Sequence, residues 1–176
     1  LSELVILGRD GVINRYQGQA ITCAADWEPT PGSLEAIASL TQAGYRVAVA
    51  TNQPGLARGL FDLDALNAIH HKLHQQLDRL GGHVDVIAYC PHSPSQGCEC
   101  HKPATGMYQR IAERFGVAPS SLIVIGASDA DHQVAQALGA QSLLIRSARC
   151  HLQAGGDGPA LFDDLSAAVG ALLADD

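Results

Sequence analysis

Alternation constrains this chain more than any other feature. Short β-branched and aliphatic runs at residues 4–7, 46–50, 85–89, 122–125 and 141–145 are separated by longer segments whose apolar residues recur about every 3.6 positions. None of the runs switches cleanly between apolar and polar side chains, so each is expected to be covered on both faces. Such strands interleaved with helices predict an α/β fold around a parallel sheet. Helices are expected at 33–43, 64–80, 105–115, 129–138 and 163–173. The first is opened by Pro31-Gly32 and closed by Gly44, and Gly81-Gly82, Gly116 and Gly139 close the next three. Residues 10–32 and 90–103 resist this scheme as long loops, which in compact domains are usually functional.

The chain has 176 residues, 47% of them hydrophobic and 16% charged, which is the composition of a globular domain and not of a disordered segment. A single domain over 1–176 is expected, and a chain of this size buries roughly 70% of its unfolded surface without needing disulfides. Eleven Lys and Arg against eighteen Asp and Glu leave a net charge of -7. That balance argues against nucleic acid and anionic membrane as partners and favours a small ligand or a protein. The opening LSELVILGRDG has no basic region followed by an apolar stretch, and the apolar runs are strand-sized, so a cytoplasmic chain is expected.

Ligands of an open parallel sheet bind beyond the carboxyl ends of its strands. There the sequence places Gly8-Arg9-Asp10-Gly11 after the first run, Thr51-Asn52-Gln53 after the second, Lys102 after the third and its loop, and Gly126-Ala127-Ser128-Asp129-Ala130-Asp131 after the fourth. Backbone amides, a Thr hydroxyl and a Lys ammonium suit a phosphate group, while carboxylates suit a hard cation or proton transfer. Their joint placement, and no single residue, carries the signal.

Three of the five cysteines crowd into one loop as Cys90-x-His92-x5-Cys98-x-Cys100. Three thiolates and an imidazole fit a closed tetrahedral zinc site of structural type, and Lys102 follows the last ligand by two residues. Free thiols or a Cys98–Cys100 disulfide are the alternatives. His70 and His74 stand four apart in a predicted helix, but Lys72 and Gln75 beside them suggest a solvated face. Trp27 is expected to pack beneath the first loop, and Cys23 and Cys150 are read as small buried or loop thiols without chemistry.

The motifs GRDGVIN, PGSLEAIASL, ATNQPGLARGLF, CPHSPSQGCECHKPATGM and VIGASDADHQVAQALGA together resemble the haloacid dehalogenase superfamily of phosphatases. Within it they are similar to the branch holding heptose-bisphosphate and histidinol-phosphate phosphatases. The resemblance implies a three-layer Rossmann-like core without a large cap domain, a monomer, and a magnesium-dependent phosphomonoesterase of lipopolysaccharide-core heptose synthesis. It also implies a nucleophilic Asp at position 8, an acid/base at Asp10, phosphate contacts from Thr51, Asn52 and Lys102, and magnesium carboxylates at Asp10, 127 and Asp131. Gln53, Arg58 and His101 are the expected substrate contacts. Position 8 is Gly, which has no nucleophile; position 127 is Ala; and His101 stands where the family usually has Arg, without its bidentate fork. Magnesium is therefore expected to be weakly bound or absent. Two readings follow: a catalytically dead or strongly impaired homologue that still binds a sugar phosphate or a protein partner, or an active phosphatase in which Asp10 activates water directly.

Overall fold

The computed structural model describes residues 3–153 and 158–176. Six strands form one sheet: β1 (Leu4–Leu7), β2 (Arg46–Asn52), β3 (Val86–Cys90), β4 (Ile123–Gly126), β5 (Gln141–Ile145) and β6 (Ala160–Phe162). Their spatial order is β3-β2-β1-β4-β5-β6 and every neighbouring pair is parallel. The order reverses between β1 and β4, and at such a switch point a crevice opens beyond the strand ends.

Successive residues of one strand enter opposite sides of the core. Val5 and Leu7 of β1, with Val47 and Val49 of β2, pack against α1 (Ser33–Gln42), α2 (Leu63–Asp78) and α5 (Leu165–Ala174). Leu4 and Ile6, with Ala48 and Ala50, face α3 (Gly106–Phe115) and α4 (Asp129–Leu138) on the other side. This two-sided burial explains why the strands show no polar alternation. Helix α2 shows the complementary pattern, burying Leu66, Ile69, His70, Leu73 and Leu77 along one stripe.

The expected alternation holds, with shifted ends and one addition. The sequence reading contains no β6, and α5 starts at Leu165 because the Asp164 carboxylate caps it, accepting from Ala167 N at 2.8 Å. No described helix is long and apolar enough to cross a membrane. Residues 10–32 wrap back over the sheet, with Trp27 fully buried and the Lys72 ammonium donating to the carbonyls of Ala24 and Trp27 at 2.7 and 2.8 Å.

Because Leu73 is fully enclosed between α2 and the sheet, Leu73→Ala is expected to lower unfolding free energy by about 2–5 kcal/mol, measured by urea titration.

Candidate functional site

The carboxyl ends of β1, β2 and β4 surround a cavity of about 210 Å³ lined by Gly8, Arg9, Asp10, Tyr16, Thr51, Asn52, Pro54, His101, Lys102, Ser128, Asp131 and Arg149. This is smaller than the roughly 300–1,000 Å³ of ordinary ligand pockets, so it can enclose a phosphate-sized head group with the rest of a larger ligand outside. The motifs separated in sequence by more than a hundred residues meet here because β1 lies between β2 and β4.

Lys102 crosses the crevice. Its ammonium donates to Asp131 Oδ1 at 2.8 Å and to the Ala50 carbonyl at 2.9 Å, with both side chains almost fully buried. Asn52 fixes the Lys102 backbone from both sides, accepting from its N–H at 2.9 Å and donating to its carbonyl at 3.3 Å. Asn52, expected on phosphate, lines the cavity while its side chain also holds the lysine. Asp131 was expected on magnesium. Its Oδ2 accepts from Ser128 Oγ at 2.7 Å and from Ala127 N at 3.1 Å, and its Oδ1 from Lys102 and, at 3.4 Å, from Tyr108. Burial raises its pKa, but the ammonium and these donors outweigh it and hold the carboxyl below its ordinary value. Gly126 permits the close approach, since a Cβ there would overlap the Asp131 side chain.

The Asp10 carboxylate is equally engaged. Oδ1 accepts from Arg9 Nε at 2.9 Å and Asn14 Nδ2 at 3.1 Å, and Oδ2 from Gln53 Nε2 at 3.2 Å. Gln53 also donates to Thr51 Oγ1 at 2.9 Å. Gln53 is thus a buried link between Asp10 and Thr51 and not a substrate contact, and the Thr51 hydroxyl hydrogen stays free to donate to an anion. Arg58, also expected at substrate, lies exposed on the turn after β2 and does not line the cavity, whereas His101 does.

Magnesium finds no matching donor set. Position 8 contributes only hydrogen, position 127 only a methyl, Asp131 accepts internal hydrogen bonds on both oxygens, and Asp10 is engaged by three internal donors. The zinc candidates converge instead. One donor atom each from Cys90, His92, Cys98 and Cys100 lies within 4.8 Å of all the others. Cys98 Sγ stands 3.6 Å from both other sulfurs, near the edge of about 3.8 Å expected in a tetrahedral zinc site.

Two residues were misread or missed in sequence. His70 does not face solvent; its Nε2 lies 3.2 Å from Arg9 Nη1, deep beneath the site. Arg9 is fully buried, and its Nη2 sits 2.9 Å from Asp10 Oδ1 at ion-pair distance without a well-directed hydrogen bond. Burial first, and then the Arg9 charge, push His70 down to about 3, so a neutral imidazole accepts from the guanidinium. Arg149 was missed entirely. It reaches in from the loop after β5, donating Nη2 to the Asp10 carbonyl and stacking its guanidinium 4.6 Å from the Tyr16 ring centre.

The sequence profile of the haloacid dehalogenase-like hydrolases matches residues 2–139. The chain belongs to this family. Among curated haloacid dehalogenase-like relatives, D-glycero-beta-D-manno-heptose-1,7-bisphosphate 7-phosphatase of Pseudomonas aeruginosa is 44% identical over 174 residues, covering 97% of this chain and 98% of its own. The same enzyme of Bordetella bronchiseptica is 45% identical over 175 residues, with 97% and 98% covered. A crystal structure of D,D-heptose 1,7-bisphosphate phosphatase from B. bronchiseptica, complexed with magnesium and phosphate, superposes with a TM-score of 0.90 at 41% identity over 99% of both chains. That from Burkholderia thailandensis gives 0.73 at 38% identity, covering 98% of this chain and 99% of its own.

His70 binds its proton only when unfolded across the range between about 3 and its ordinary value of 6.5. Its stabilising contribution is complete above that ordinary value and is lost as pH falls towards 3. Urea unfolding should therefore show stability falling by about 2 kcal/mol from this residue between pH 7 and 5, a window above that of Asp131, and His70→Gln should flatten the profile.

Proposed function

We propose that this chain is a haloacid dehalogenase-like phosphatase fold that binds a sugar phosphate but has lost covalent catalysis, wholly or nearly so. The observation that carries this reading is Gly8: a hydrogen side chain faces the cavity where the resemblance assigns the attacking carboxylate. Ala127 removes a second carboxylate, and Asp131 already accepts donors on both of its oxygens. Lys102 and the Thr51 hydroxyl remain as anion contacts, with Asp10 and His101 also lining the cavity. The ligand class follows from the curated relatives, which are named for heptose bisphosphate. Cys90, His92, Cys98 and Cys100 would hold a structural zinc, which closes the loop and so fixes the segment that delivers Lys102.

Restoring the carboxylates tests the reading. A Cβ at Gly8 would come closest to the Val12 methyl, at 3.1 Å, with Val12 Cβ and Gly126 Cα at 3.9 and 4.0 Å, and the backbone there is not left-handed, so Gly8→Asp needs a shift of a few tenths of an ångström. With D-glycero-D-manno-heptose 1,7-bisphosphate and magnesium, the Gly8→Asp/Ala127→Asp variant should release phosphate at least about 10⁴-fold faster than the native chain. Turnover by the native chain that Asp10→Asn abolishes would instead establish direct water attack. Elemental analysis should find about one zinc per chain, and both chelation and Cys98→Ser should lower the melting temperature.

A further inference from the structure

The resemblance assigns magnesium to this cavity, yet two of its carboxylates are missing and those of Asp10 and Asp131 are engaged internally, while a protein cation, Arg149, lines the same cavity. Arg149 Nη2 donates to the backbone carbonyl of Asp10. A Cβ built on Gly11, whose φ is +81°, would come within 2.8 Å of that nitrogen and 3.5 Å of the Ala127 methyl. The guanidinium therefore lies over the bare backbone of Gly11, beside the position whose carboxylate is absent. This placement is built and not incidental. The Arg149 carbonyl accepts from Asp129 N at 3.2 Å, its N–H donates to Ser147 Oγ at 3.1 Å, and Ser147 Oγ donates to the Ala127 carbonyl. The Tyr16 ring centre lies 4.6 Å from the guanidinium and supports it.

Charge completes the argument. Arg9, Lys102 and Arg149 bring three positive charges to the cavity against the two carboxylates of Asp10 and Asp131. Carboxylates at 8 and 127 would reverse that sign and require a bound cation before a phosphate could enter. Without them the cavity is already net positive. Of the five N–H donors of the Arg149 guanidinium, one is engaged among the described residues, which leaves others for phosphate oxygens.

We infer that Arg149 takes the place of the divalent cation, so that the cavity binds a phosphate group without metal, gripped by Arg149, Lys102 and the Thr51 hydroxyl. This inference rests on the reading of the cavity as a phosphate site, and the two fail in different ways. The test is calorimetric titration of inorganic phosphate into the zinc-replete full chain, in magnesium-free buffer and in excess magnesium.

Affinity should agree within about twofold between the two buffers, because a metal that is not held has no coupling to the ligand. Arg149→Met, on an exposed loop, should keep the native melting temperature and bind about tenfold more weakly or worse, the loss of a charge-assisted hydrogen bond. Ala127→Asp should weaken metal-free binding and introduce magnesium dependence. Binding that requires magnesium in the native chain would overturn the inference and leave the phosphate site standing. So would metal-free binding that Lys102→Met weakens and Arg149→Met does not. No binding in either buffer would overturn both.

Discussion

The buried contact between Lys102 and Asp131 ties together what the rest of the site depends on. It spans the switch point, joining the loop after β3 to the first turn of α4 across the ends of β1 and β2. Neither charge could occupy this place alone, since stranding one partner of a buried pair costs about 3–5 kcal/mol. Several neighbouring polar groups serve the pair: Asn52 clamps the lysine backbone, the Ala50 carbonyl takes a second ammonium proton, and Ser128 caps α4 while donating to Asp131. The helix start itself favours the carboxylate, which lies at its electropositive end.

A second buried chain of contacts runs beneath the first loop, from His70 through Arg9 to Asp10 and on through Gln53 to Thr51. It sets the orientation of the groups at the cavity floor, and it uses a neutral imidazole as an acceptor. These contacts persist in a chain that has Gly at 8 and Ala at 127. Ala127 enters the Lys102–Asp131 network through its backbone N–H, and neither Gly8 nor Ala127 has a side chain that can hydrogen-bond. The scaffold of a haloacid dehalogenase-like member thus still brings Asp10, Thr51, Lys102 and Asp131 together at one cavity.

Much of the fold was legible in the sequence because its signals are local. Glycine stops, proline-opened helices and uninterrupted aliphatic runs each depend on a few neighbouring residues, and β1, β5 and α4 lie at the expected boundaries. β6 was not legible: three half-exposed residues are too few to establish a period, and they form a strand only because β5 offers a free edge. His70 was misassigned because Lys72 and Gln75 suggested solvent, whereas Lys72 itself is tethered to the carbonyls of the first loop.

At the site, the sequence determined which side chains stand at the strand ends. The motifs placed Asp10, Thr51, Lys102 and Asp131 beyond strand ends, and they showed that positions 8 and 127 carry no carboxylate. The zinc candidates were equally readable from spacing within one loop. Only the tertiary structure decided how those groups are used: Asn52 and Gln53 inward as supports, Asp131 saturated, Arg58 outside, and Arg149 within the cavity. Arg149 lies 139 positions from Asp10, and inspecting the end of β5 as the other strand ends were inspected would have raised it as a candidate. Its partner could not have been named, because a side chain's donors are assigned by whatever the fold brings within about 3 Å, and no local pattern encodes that distance.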